Sequence, residues 1–185
     1  MAPSQFDEYT RTELKSFVEK LKIDHYHVVD TLCEAAKKQV LKLNELENHT
    51  SSSQYITLCI KLIEEIRNYI QQKNENLIPY LQELLEKDAE NHDCSTCAGT
   101  GSCNMKHEIQ LIDLMNSHKN IKTILYRLQM VVLPLYSETI FPDAYRVLRN
   151  QMALLENGLT ELFFLEQTFL VPKIKEAQKN INARH

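Results

Sequence analysis

Glycine and proline are scarce in this chain, with three and five in 185 residues. Both are costly inside helices and both punctuate β folds, so their rarity argues against a turn-rich β architecture and suits long helices. Long apolar runs are missing as well. No stretch reaches the roughly 18 residues that a membrane-spanning helix needs, so no membrane partner is expected. The first residues, Met1 to Gln5, lack the basic and apolar regions of a secretory signal, and the cytoplasm is the expected compartment. An excess of positive charge is absent too. The formal charge is -4 with acidic and basic residues interspersed, which argues against nucleic acid as a partner and fits solvated helix faces.

What is present is helical periodicity. At this length the chain fits one domain, residues 1–185, with a core of its own. A first helix is expected to open at Thr10, where Thr10 and Glu13 have capping-box spacing. Its apolar seam runs Leu14, Val18, Leu21, His25, Val28, Leu32, Ala35, Leu43 and Leu46. His49 and the serines 51–53 interrupt it, and those serines suit the cap of a second helix. The second seam is Tyr55, Cys59, Leu62, Ile66, Tyr69, Lys73, Leu77, Tyr80 and Leu84. A polar loop over about 88–104 follows. The third seam is His107, Leu111, Leu114, His118, Ile121, Leu125, Leu128 and Val132. Pro134 and Pro142 bracket the next connection, with Asp143 as cap. The last helix presents Leu148, Met152, Leu155, Leu159, Leu162, Glu166 and Leu170. Four such stripes predict an all-α fold, an antiparallel four-helix bundle sharing one core.

A weak internal repeat supports two related hairpins. Leu77-Ile78-Pro79 mirrors Leu170-Val171-Pro172, which pairs Lys73 with Glu166 and Tyr69 with Leu162. Each proline is expected where its helix bends or ends. His25, Lys73, His107, His118 and Glu166 all fall on seams that are otherwise apolar. A buried charge is costly unless paired or metal-bound, so these positions need a reason. Two histidines and a carboxylate from different helices are how a bundle builds a metal site. His118 lies three turns beyond His107, too far to share a compact site with it, and is read as structural.

These residues carry a family likeness. Asp24-His25-Tyr26-His27-Val28, the stretch Asn74 to Pro79, Lys106-His107-Glu108 and the stretch Leu165 to Pro172 resemble the hemerythrin-like proteins, and among them the di-iron proteins for repair of iron–sulfur centres. The resemblance covers about residues 11–180. It implies one histidine ligand on each of helices one and three, and a His-x-x-x-Glu pair on each of helices two and four. Transferred position by position, His25 takes the first-helix role, with His27 as rival, His107 the third-helix role and Glu166 the fourth-helix carboxylate. Tyr69, Lys73 and Leu162 stand where the family has histidine, glutamate and histidine. Half of the ligand positions are changed and one now carries a cation, so two irons cannot be held. A single iron on His25, His107 and Glu166 stays open, because two histidines and one carboxylate can hold non-haem iron. In the absence of metal, Lys73 and Glu166 are expected to form a buried ion pair, with His25 and His107 bonded to Glu166 and Tyr69 filling the remaining space.

The loop adds a separate signal. Cys94, Cys97 and Cys103 lie in Cys-x-x-Cys-x-Gly-x-Gly and just beyond it, which resembles half of the zinc-binding repeat of a heat-shock chaperone family. Glycines let such a backbone fold until thiolates converge, and His92 could complete a tetrahedral zinc site. A reversible disulfide and an inert loop are the alternatives.

Three functions therefore stand side by side. One is a binding or sensing module with a depleted iron site. The second is an active single-iron protein handling oxygen, nitric oxide or iron donation. The third is a metal-free bundle that binds a protein partner. The first makes the chain a non-enzyme. The cofactors expected are none or one iron in the bundle, with zinc at the loop as an addition. If the loop holds zinc, Cys97→Ser is expected to release it while circular dichroism keeps its helical shape. Zinc-free protein with three equally reactive loop thiols would leave the loop without that role.

Overall fold

The computed structural model describes residues 5–44, 50–90, 102–135 and 143–182. Every element in them is helical, and no strand occurs among the described residues. A short helix, α1 (Gln5–Arg11), precedes four long helical runs. The first run is α2 (Leu14–Lys20), a π-helical turn π1 (Leu21–Tyr26) and α3 (His27–Asn44). The second is α4 (Thr50–Gln72), π2 (Lys73–Leu77) and α5 (Ile78–Ala89). The third is one unbroken helix, α6 (Ser102–Leu135). The fourth is α7 (Asp143–Leu165), π3 (Glu166–Leu170) and α8 (Val171–Asn182). No helix among the described residues is long and apolar enough to cross a membrane.

Directions follow from which segments touch. The late part of run one, α3, packs on the early parts of runs two and four, α4 and α7. Its early part, α2, meets the late segments α5 and π3. Run one is therefore antiparallel to both. α5 and α8, each late in its run, pack together, and α4 packs on α6. The shared core includes Phe17, Leu21, Tyr55, Leu62, Ile66, Leu114, Ile121, Leu148, Leu155 and Phe163.

The first helix does not start where the capping box suggested. Thr10 lies inside α1, and α2 begins at Leu14 after an extended Glu13 that makes no side-chain cap. The loop expected over 88–104 is also shorter, since α5 runs to Ala89 and α6 begins at Ser102. The serines expected to cap helix two lie within α4, while Asp143 is the first residue of α7.

The π turns explain the rest of the register. A π turn inserts one extra residue and advances the inward face by one position. After Leu21, the α-helical seam would continue to His25, Val28, Leu32 and Ala35. The core instead takes Tyr26, Val29, Cys33 and Ala36, each one residue later. The internal repeat acquires a physical basis as well, because Lys73 opens π2 and Glu166 opens π3. Pro79 and Pro172 follow these turns without breaking the helix. Proline has no N–H to bond four residues back, and in both cases that position lies in the widened turn.

Gly158 sits mid-helix in α7. A Cβ there would lie 3.5 Å from Val29 Cγ2 and 3.8 Å from Leu32 Cδ1, which is ordinary contact. Gly158→Ala is therefore expected to stabilise the protein by about 0.8–1 kcal/mol through helix propensity alone. Thermal unfolding checks this, and a lowered midpoint would mean that α3 and α7 lie closer than described.

Candidate polar centre

Glu166 is wholly buried at the start of π3, and its carboxylate is saturated by donors from the other three runs. The Tyr26 hydroxyl, delivered by π1, donates to Oε1 at 2.5 Å. The Tyr69 hydroxyl, from α4, donates to Oε2 in a short bond. His118 Nε2, from α6, lies 2.5 Å from the same oxygen. Tyr69 and His118 are themselves 3.2 Å apart, as two donors on one acceptor must be. Gln167 Nε2 approaches His118 Nδ1 at 3.2 Å, a contact that fits a neutral ring with its proton on Nε2. That assignment holds for the amide orientation in the structure. Phe163 stacks on the imidazole at 4.1 Å and meets the Tyr69 ring edge-on at 5.7 Å.

Lys73 opens π2 and is also buried. It does not form the direct ion pair with Glu166 that the sequence suggested. Its ammonium lies over the Tyr69 ring, 4.7 Å from the centroid, while hydroxyl and imidazole donors fill the carboxylate oxygens. Donors from Tyr26, Tyr69 and His118 complete the carboxylate oxygens, and the face of the Tyr69 ring holds the Lys73 ammonium. Lys73 still acts at a distance. Burial pushes the Glu166 carboxyl up, but the His118 hydrogen bond, the Lys73 charge and the Tyr26 hydrogen bond together hold it below the ordinary glutamate value. Burial lowers Lys73, against the pull of Glu166 and Asp113. Burial, with Glu166 beside them, raises both phenols well above their usual range.

The expected trio is thus not the one assembled. His25 is half-buried and His27 exposed, and Tyr26 between them makes the bond to Glu166. His107 and His118 share α6, eleven residues or about 16 Å of helix rise apart. The centre therefore lies at the level of His118, and the histidine read as structural is the one that reaches the carboxylate. His107's side chain lies outside the described residues. Tyr69, Lys73 and Leu162 are all buried, as their seams required. Tyr26 was missed, although its signal was in the sequence as a large residue beside two polar ones. Only the inserted π residue decides which of the three points inward.

Two surface clefts flank the centre. One, about 480 Å³, is bordered by Lys73 and Asp113, and the other, about 430 Å³, by His118, Gln167, Lys119 and Lys122. Among the described residues no three His, Cys, Asp or Glu side chains converge. Cys33 and Cys59 are buried free thiols, each pushed up to about 12 by burial. His92, Cys94 and Cys97 lie outside the described residues, as does the side chain of Cys103 in the first turn of α6. Comparison with family models, with curated proteins and with solved structures finds no match.

Glu166→Leu leaves Tyr26, Tyr69 and His118 facing an apolar side chain and is expected to cost about 3–5 kcal/mol. Lys73→Met removes a cation from a ring face and costs less, up to about 2 kcal/mol. The depressed carboxyl of Glu166 contributes stability that is present above the unfolded glutamate range and lost as pH falls through its folded value. Denaturant unfolding across that acid window checks both statements, since Glu166→Leu should lack this part of the pH dependence. Equal losses for the two variants would contradict the geometry.

Proposed function

We propose that this chain is a hemerythrin-like, antiparallel four-helix bundle of the cytoplasm, related to the di-iron proteins for repair of iron–sulfur centres. In this reading the two-iron centre has given way to a hydrogen-bonded polar centre, and the protein serves as a binding or sensing module rather than an enzyme. One observation carries it. A single buried carboxylate on run four receives one donor from each of the other three runs, which is how a bundle arranges ligands around a central ion.

The residues do not fit a pair of irons. Tyr69 hydrogen-bonds where the family has histidine, Lys73 brings a cation where it has glutamate, and Leu162 is apolar and fully buried. Bridging two metals needs carboxylates from more than one run, and Glu166 is the one carboxylate with atoms in this cluster among the described residues. No step of di-iron chemistry is therefore assigned to the chain. The Lys73–Glu166 equivalence across the repeat supports a dismantled pair of metal-bearing turns, since π2 and π3 begin at these two residues.

Reversal is the direct test. Tyr69→His, Lys73→Glu and Leu162→His in one protein restore the family's ligand pattern on runs two and four. After anaerobic reconstitution and exposure to air, the triple variant is expected to hold two irons per chain and to show an oxo-bridge absorption band. A folded triple variant without bound iron would remove the support for the family reading.

A further inference from the structure

We infer that Tyr26, Tyr69, His118 and Glu166 together form a mononuclear site for ferric iron, bound through two phenolates, an imidazole and a carboxylate. The inference deepens the reading above by naming the ligand of the module, and it rests on the four runs converging around Glu166. It differs from a residual family site, because Tyr26 and His118 stand where the resemblance implies no ligand, and Tyr69 puts a phenol where the family has histidine.

The donor atoms are already gathered. Tyr26 Oη and His118 Nε2 each lie 2.5 Å from a Glu166 oxygen, Tyr69 Oη bonds the second oxygen, and Tyr69 and His118 are 3.2 Å apart. Side chains from four separate runs can move apart slightly and turn these atoms on one ion, as helix-borne ligands in bundles do. Imidazole suits iron among several metals, whereas phenolate is a hard, strongly basic oxygen that serves as an iron ligand.

Donor type selects the oxidation state. Two phenolates and one carboxylate are hard anionic oxygens that together carry three negative charges, which favours trivalent over divalent iron. With the buried Lys73 ammonium counted, the ferric cluster keeps a single positive charge beside the Tyr69 ring. The protons balance as follows. Tyr26 and Tyr69 each lose their hydroxyl proton to solvent, Glu166 is already a carboxylate, and His118 moves its proton from Nε2 to Nδ1. Each phenolic proton leaves as an oxygen–iron bond forms, and no electron is transferred. Gln167 then turns its amide so that the oxygen accepts from Nδ1–H, the second partner that a metal-bound histidine needs. Phe163 keeps the ring in plane, and the ammonium of Lys73 over the Tyr69 ring favours the phenolate there.

Access exists on the His118 side. His118 and Gln167 border the 430 Å³ cleft, so one side chain separates solvent from the centre. Lys119 and Lys122 line its mouth, which suits delivery of ferric iron as an anionic chelate rather than as a free cation.

The test is titration of the full-length protein with ferric citrate. The expected result is one iron per chain and a visible phenolate-to-iron charge-transfer band that free ferric citrate lacks. Tyr26→Phe and Tyr69→Phe should each weaken binding at least tenfold and shift the band, and the double variant should abolish it. Tyr126→Phe, at an exposed tyrosine bordering the same cleft, should leave it unchanged. A colourless protein, or a band that survives in the double variant, overturns the site. If the double variant does not fold, resonance Raman of the wild type decides, because tyrosinate ring modes enhanced in the band support the site and their absence refutes it. An iron-free wild type beside an iron-loaded ligand-restored triple variant would sink this inference and leave the family reading standing. The opposite pair of results would keep this site and remove the family reading.

Discussion

A carboxylate with no access to water must be neutralised or surrounded by donors, and the interior of this protein is organised around that requirement at Glu166. Three donors meet it, from Tyr26, Tyr69 and His118. Each of them sits on a different helical run, so the runs must hold a common level and a common rotation for the set to close. An apolar core tolerates sliding by a turn, because one leucine layer resembles the next. A hydrogen-bonded cluster tolerates none of it, since a one-turn shift would leave every member buried and unpaired. The polar centre thereby fixes the register of the four runs, and Lys73 adds a second buried charge that only the ring face of Tyr69 and the field of Glu166 accommodate.

The placement of that centre depends on helices that are not uniformly α. Without π1, the inward face of run one would continue through His25 and carry Tyr26 to the side. π2 and π3 begin with Lys73 and Glu166 and are followed by a proline-containing helical segment in both cases. π turns are frequent at functional sites, and here each of the three contains or adjoins a member of the centre. The clefts bordered by Lys73 and by His118 put this interior within one side chain of solvent on two sides.

Much of this was legible in the sequence, and the exceptions have specific causes. Every position named on the seams of runs two and four is buried, because Leu, Ile and aromatic residues recur there at α-helical steps and the π turns come late. Lys73 and Glu166 were identified for the same reason, as polar residues on apolar stripes, and Tyr69 through the family resemblance. Run one departs from its expected seam from His25 to Ala35 and meets it again at Leu43, since period counting cannot see one inserted residue and nothing in Leu21–Tyr26 announces it. His118 was passed over because it was judged by its distance from His107 on the same helix. The relevant neighbour was across the core, and tertiary proximity of that kind is not written in linear spacing. The Lys73–Glu166 salt bridge failed on chemistry rather than position, because two phenols and an imidazole outcompete a lysine for the carboxylate oxygens.

The claim that the rest depends on is that Glu166 is an ionised carboxylate held by three donors. Carbon-13 NMR of protein labelled at the glutamate side-chain carboxyl reads this directly, with Glu166→Gln assigning the resonance. The account predicts a Glu166 signal at the ionised position at neutral pH that stays there on acidification after the exposed glutamates have begun to titrate. A signal at the protonated position near neutral pH would contradict it.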